Sequence, residues 1–127
     1  MQASRVLPVA LKGLEEGPYK GLVDEAHLLK QLEWCAQAGS LFVATDKDEP
    51  VGFFAATFLP SHMILGRVPC AMELAWYVLP EHRHKGHGYA LLVAFESWAT
   101  NLGCKYLFLG KKRKGYLPLE QTYWKAI

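Results

Sequence analysis

AMELAWYVLPEHRHKGHGYALLVAFESWATNLGCKYLFLG, residues 71–110, is the stretch whose reading decides the fold. It divides into an apolar strand from Ala71 to Leu79, a His- and Gly-rich turn from Pro80 to Gly88, a helix ending near Leu102, and a second strand from Cys104 to Leu109. The turn runs Glu81-His82-Arg83-His84-Lys85-Gly86-His87-Gly88 and opens directly into Tyr89-Ala90-Leu91-Leu92. Glycines two apart at a helix start let backbone N–H groups point outward with no side chain in the way. Such a loop suits a phosphate or pyrophosphate, so the implied partner is an anion.

Arg83 stands three residues before Gly86 and five before Gly88, giving Arg-x-x-Gly-x-Gly, with Val78-x-Pro80 just upstream. A dinucleotide fingerprint needs Gly-x-Gly-x-x-Gly and a P-loop needs a Gly-Lys-Ser/Thr ending, and neither is present. The stretch resembles the acyl-CoA-binding motif of the GNAT superfamily of N-acyltransferases, Gln/Arg-x-x-Gly-x-Gly/Ala between a strand and a helix. The resemblance extends from about Leu41 to the C-terminus. It implies an α/β (α+β) fold, with a mixed, mostly antiparallel central sheet flanked by helices and a splayed parallel strand pair that binds acyl-CoA, here acetyl-CoA as co-substrate. Carried over residue by residue, the backbone of Trp76, Tyr77 and Val78 becomes the pantetheine edge. Arg83, His84, Lys85, Gly86, His87, Gly88 and Tyr89 become the pyrophosphate cradle.

A chain of 127 residues is expected to form one domain, burying about two-thirds of the surface it would expose unfolded. With 51% hydrophobic and 20% charged residues it reads as soluble and globular. A formal charge of +2 is too small to argue for general nucleic-acid binding. Cys35, Cys70 and Cys104 have no short paired spacing and fall on or beside apolar segments, so they read as free thiols in a reducing compartment. No run approaches a membrane span and no leader pattern opens the chain, which points to a cytoplasmic location.

Outward from the central stretch, Met1 to Val6 reads as a fragment of strand, and Pro8 to Glu16 as a helix stopped by Gly17-Pro18. A second helix begins after the potential cap Asp24, carries Leu28, Leu32 and Cys35 on one face, and ends at Gly39. Trp34 lies off that stripe, either as an edge residue or as a wall of a binding site. Leu41 to Thr45 and Val51 to Leu59 read as an antiparallel hairpin and a central pair of the sheet, with Gly52 marking a bulge, a close backbone approach or a neutral glycine. Pro60 to Pro69 is a connection with apolar residues that folds over the sheet or forms a binding lip. The resemblance makes its His62 and Arg67 possible substrate contacts.

In the strand from Ala71, simple alternation puts Glu73 on the face of Tyr77, in an apolar setting where a carboxylate needs partners or a raised pKa. Such a carboxylate can take a proton from an amine directly or through water, which makes Glu73 the candidate base; a structural Glu bonded to Arg67 or to backbone is the alternative. His82, His84 and His87 lack a carboxylate or Cys at convincing ligand spacing, so no metal is assigned. The helix after Gly88 carries Leu91, Phe95, Trp98 and Leu102 on one stripe, and Gly103 ends it. Lys111-Lys112-Arg113-Lys114 reads as a solvated turn or as a contact with the CoA 3′-phosphate or an acidic partner. Tyr116 to Ile127 alternates as one closing strand and is similar to the end of small bacterial and phage-encoded GNAT proteins.

Two departures from the family pattern matter. Only a few residues precede Pro8, where relatives begin with a strand and a long helix. The five residues between Leu109 and Gly115 are too few for the helix on which relatives carry a Tyr that protonates the leaving thiolate. Tyr106, Tyr116 and Tyr123 are the candidates to replace it, with Tyr116 the favoured catalytic one; a water is the other proton source. The expectation is therefore an N-acetyltransferase acting on an unidentified primary amine by direct attack. A catalytically inactive GNAT-like binding or structural module is the alternative. Surface bared by the missing helix would favour a homo-oligomer or docking to a larger assembly.

Overall fold

Ala3, Val6, Val9 and Ala10 recur at three- and four-residue steps, and all four are buried on one side of a helix, α1 (Ala3–Glu15). The strand expected at the N-terminus is therefore replaced by helix. The structure, a computed structural model, describes residues 3–18, 20–111, 113–119 and 122–127. Pro8 lies inside α1, yet it and Ser4 are exposed, so the carbonyl left without an amide donor faces water. Helix α2 (Glu25–Gln37) starts where Asp24 accepts a hydrogen bond from the His27 amide at 3.1 Å, and Gly39 follows its end at φ +74°. Trp34 is on the solvent side of α2, 52% exposed.

Strands β1 (Leu41–Asp46) and β2 (Glu49–Leu59) form a hairpin whose tight turn puts Lys47 and Asp48 at positive φ. β2 then pairs with β3 (Cys70–Val78), helix α3 (His87–Asn101) crosses over, and β4 (Tyr106–Leu109) lies parallel to β3. The chain closes with β5 (Leu117–Leu119) and β6 (Thr122–Ala126), two strands rather than the one expected. No Gly or Pro marks the break between them, and residues 120 and 121 lie outside the described residues. The sheet order is β1-β2-β3-β4-β6-β5, antiparallel throughout except for β3 and β4. β1 is thus an edge strand, and only β2 of the expected central pair is central.

Adjacent residues of β2 separate the two layers. Phe53 and Ala55 pack with Val6, Val9, Leu32 and Cys35 under α1 and α2. Phe54 and Ala56 pack with Trp76, Leu91, Phe95, Leu107 and Leu109 under α3, and the Phe54 and Phe95 rings stack at 4.5 Å. Leu102, expected on the buried stripe of α3, caps the helix and is exposed; Ala99 takes the inward position instead. At Gly52 a Cβ would stand 3.0 Å from the Tyr77 carbonyl oxygen, so this glycine permits a close backbone approach.

The connection 60–69 folds over the sheet, as one of the two expected roles requires. His62 and Gly66 exchange backbone hydrogen bonds, and the His62 ring stacks on Phe108 at 4.7 Å. Its Nδ1 accepts from the amides of Ile64 and Leu65. Met63 at the tip is 99% exposed. No described helix is long and apolar enough to cross a membrane.

Candidate active site

β3 and β4 pair only at Cys70–Tyr106, Ala71–Leu107 and Met72–Phe108, and then diverge. Just past that point Leu74 is an extra residue in β3: Glu73 faces Ala56 of β2 while Ala75 faces Ala55. This bulge reverses the alternation of the strand. Glu73 consequently shares the α3-side face with Ala56 and Trp76, and Tyr77 lies on the opposite face with Phe53, which overturns the expected Glu73–Tyr77 face. From Ala75 to Val78 the edge of β3 that faced β4 has no partner strand among the described residues. It opens on a cleft of about 1010 Å³ that reaches α1, α2 and the loop before α3.

That loop begins with a single 3-10 turn, Pro80–His82, and passes through His84 at φ +64° and Gly86 at φ +89°. Gly86 is the N-cap of α3 and supplies no side chain to its orphan amides, and no acidic residue lies in the first turn. In α2, by contrast, Asp24 and Glu25 fill both roles. A Cβ on Gly86 or Gly88 would meet nothing within 4 Å. The helix start is open and positive in potential, which is what an anion requires. Of the seven cradle residues, Arg83, His84, Gly86, Gly88 and Tyr89 line the cleft, whereas Lys85 and His87 do not.

Arg83 has a more specific position than the motif implies. Its Nε donates to the Val78 carbonyl at 2.9 Å and its Nη2 to Glu16 Oε2 at 3.1 Å, with the guanidinium 5.3 Å from the Tyr77 ring centre. It therefore ties the end of α1 to the end of β3. Trp76, Tyr77 and Val78 all line the cleft, but the Tyr77 ring is turned toward α1. Gly13 exists to receive it, since a Cβ there would fall 2.8 Å from Tyr77 Cγ. The Tyr77 hydroxyl is buried beside the Glu16 carboxylate, with no hydrogen bond of good geometry among the described residues, and burial, then Glu16, push its pKa up. Neither the ion-pairing role of Glu16 nor Gly13 is singled out by the sequence patterns. An isolated glycine inside a helical pattern, costing about 1 kcal/mol against Ala, was the available signal.

The far wall of the split is the segment 110–116, where no helix forms among the described residues. The Gly110 amide donates to Glu73 Oε1 at 3.2 Å, so the backbone partner foreseen for this Glu is present. Burial raises the Glu73 pKa, opposed by that hydrogen bond and by the charges of Lys111 and Arg113. Lys111 and Arg113 line the cleft, and Arg113 lies 4.5 Å over the Trp76 ring; Lys112 is outside the described residues. Tyr116 is not brought to the cleft. It is buried in the α3 layer, and its hydroxyl donates to Glu96 at 2.9 Å, a carboxylate also bound by Lys125 at 3.3 Å. Burial and Glu96 together drive the Tyr116 pKa far up. His62 and Arg67 also lie away from the cleft lining.

Residues 10–118 match the model of the acetyltransferase (GNAT) family. No curated protein sequence matches the chain. Among solved structures, a GNAT family acetyltransferase from Brucella melitensis in complex with acetyl-CoA superposes with a TM-score of 0.73 at 13% identity, over 99% of this chain and 82% of the other. PaiA N-acetyltransferase from Thermoplasma acidophilum, in complex with coenzyme A, gives 0.70 at 16% identity over 99% and 93%. AAC(6')-Iy, in complex with the bisubstrate analog CoA-S-monomethyl-acetylneamine, gives 0.68 at 24% identity over 89% and 75%. These structures share the split sheet's fold, and with the matched family model they establish that the chain belongs to the GNAT acetyltransferase family.

Proposed function

We propose that this protein transfers the acetyl group of acetyl-CoA to a primary amine by direct attack of the amine on the thioester. The observation that carries the reading is the junction of two features in one cleft: the unpaired β3 edge from Ala75 to Val78 and the uncapped start of α3 at Gly86. The open amides at residues 86–89 would hold the pyrophosphate, and the free strand edge would align the pantetheine arm. Acetyl-CoA or CoA occupies two of the structural neighbours named above, which supports that co-substrate.

The amine would enter from the side of α1 and α2, where Glu16 and Gln31 supply polar groups among Leu14, Leu28 and Leu32. Glu73 stands at the apex of the split, one residue from the cleft-lining Leu74. Burial raises its pKa and so makes it a stronger base than an ordinary carboxylate, with a water between it and the amine. A non-catalytic acyl-CoA-binding module is the second reading, favoured by the commitment of Tyr116 to Glu96 and by the helix-free segment 110–116.

Calorimetric titration with acetyl-CoA, CoA and 3′-dephospho-CoA tests the cofactor assignment, and thiol release over a panel of primary amines tests turnover. Micromolar binding with thiol release on at least one amine supports transfer. Binding without turnover on any amine selects the module, and no binding at millimolar ligand rejects both.

A further inference from the structure

Direct attack forms a C–N bond and breaks the C–S bond, whose electron pair leaves on the CoA sulfur while the amine proton passes to a base. The thiolate must be protonated or held by positive charge. Only two described tyrosines line the cleft, and neither serves: the Tyr77 hydroxyl is buried on the α1 side, and Tyr89 is an exposed residue in the first turn of α3. Tyr116 is buried, gives its hydroxyl to Glu96 and does not line the cleft.

The wall opposite the free edge of β3 instead carries charge. Arg113 is exposed, lines the cleft and lies over Trp76. Among the described residues no carboxylate pairs with it at salt-bridge distance, whereas the cleft's other arginine, Arg83, is neutralised by Glu16. We infer that the Arg113 guanidinium, held on the Trp76 ring across the split, takes up the charge of the leaving thiolate in place of a hydroxyl acid. The inference rests on the acetyltransferase reading and names a further catalytic residue for it. Arginine does not give up its proton at physiological pH, so it acts by charge and the thiolate is protonated afterwards by solvent. Its planar cation lies on an aromatic face, which holds the charge at the opening. The charged or titratable groups lining this cleft are Lys111 and Arg113 from the turn, His82, Arg83, His84 and Tyr89 from the loop and the start of α3, Tyr77 from β3, Cys35 from α2 and Glu16 beyond α1; Glu73 lies outside the lining but feels the charges of Lys111 and Arg113.

The test is the titration of the thiol in protein-bound CoA, followed by the ultraviolet absorbance of the thiolate. The acetyl-CoA complex, which has no free CoA thiol, provides the baseline and removes the signals of Cys35, Cys70 and Cys104. In the native protein the bound thiol should titrate about 1–2 units below that of free CoA measured alongside. Arg113→Gln should return most of that shift and Arg113→Lys should keep most of it; the site is exposed, so both variants should fold. Equal thiol titration in native and R113Q proteins overturns the inference. So does an R113Q variant that loses affinity for CoA but not for 3′-dephospho-CoA with the thiol unmoved, which would assign Arg113 to the 3′-phosphate. Failure of native protein to bind CoA at all overturns the acetyltransferase reading and this inference together, a result distinct from binding with an unshifted thiol.

Discussion

Gly88→Glu should move stability and binding in opposite directions. Gly88 is the second residue of α3, its φ lies outside the left-handed region, and a Cβ there meets nothing within 4 Å. Replacing it by a helix former gains about 0.5 kcal/mol of propensity. A carboxylate in an otherwise acid-free first turn adds about 0.3–1 kcal/mol against the helix dipole. The ligand-free variant should therefore melt about 2–6 °C higher. The same carboxylate would face a doubly charged pyrophosphate at roughly 5 Å, a repulsion of about 1.7 kcal/mol at a water-like dielectric and several times that in a partly enclosed cleft. CoA affinity should fall at least about 20-fold. Thermal melts monitored by circular dichroism and calorimetric CoA titration read the two quantities. Native-like affinity in G88E would refute the assignment of the cradle, and a lower melting temperature would refute the description of the helix start.

Gly86→Ala should cost about 1–2 kcal/mol because an L residue is strained at φ +89°; an unchanged melting temperature would count against that loop conformation. Glu73→Gln should stabilise the protein near neutral pH. The folded-state pKa of Glu73 is raised, so stability declines as pH climbs from the unfolded carboxyl value through the folded one, and the variant should lose this slope in melts run from about pH 4 upward while Gln still accepts from Gly110. Tyr116→Phe should cost about 1.5–3 kcal/mol by removing the hydrogen bond to Glu96. It should also abolish a loss of stability above about pH 10, where the unfolded phenol ionises and the folded one does not. Its acetyl-transfer rate should stay within about twofold of native, and a drop of about 100-fold or more would reinstate Tyr116 as the acid.

The strand, glycine loop and helix from Ala71 onward were legible because local rules fix them. Alternation marks the strand, paired glycines mark an open helix start, and Gly103 marks the helix end. Arg83 and Gly86 were found for the same reason. What escaped depends on contacts distant in sequence. The bulge at Leu74, which turns Glu73 away from Tyr77, arises from register with β2 and leaves no local trace. Glu16 is 67 residues from Arg83, and its role exists only once α1 packs against β3. Tyr116 reads as a spare phenol in the sequence because its partner Glu96 lies 20 residues away, on the α3 helix, and no local pattern links the two. Only the part of α1 before Pro8, residues 3–7, was hidden, because a proline ends a helical pattern in sequence, whereas here the Ser4 carbonyl it orphans faces water.

Mechanically, the sheet is two half-sheets, β1-β2-β3 and β4-β6-β5, sewn by a seam three ladder pairs long. Beyond the seam the two lips are joined by the Glu73–Gly110 hydrogen bond and the Arg113–Trp76 stack. A wedge driven between the lips loads those few links before it reaches either half's interior. Compliance is thus concentrated where a slender ligand would enter, and the aromatic layer around Phe54 and Phe95 is left to carry stiffness.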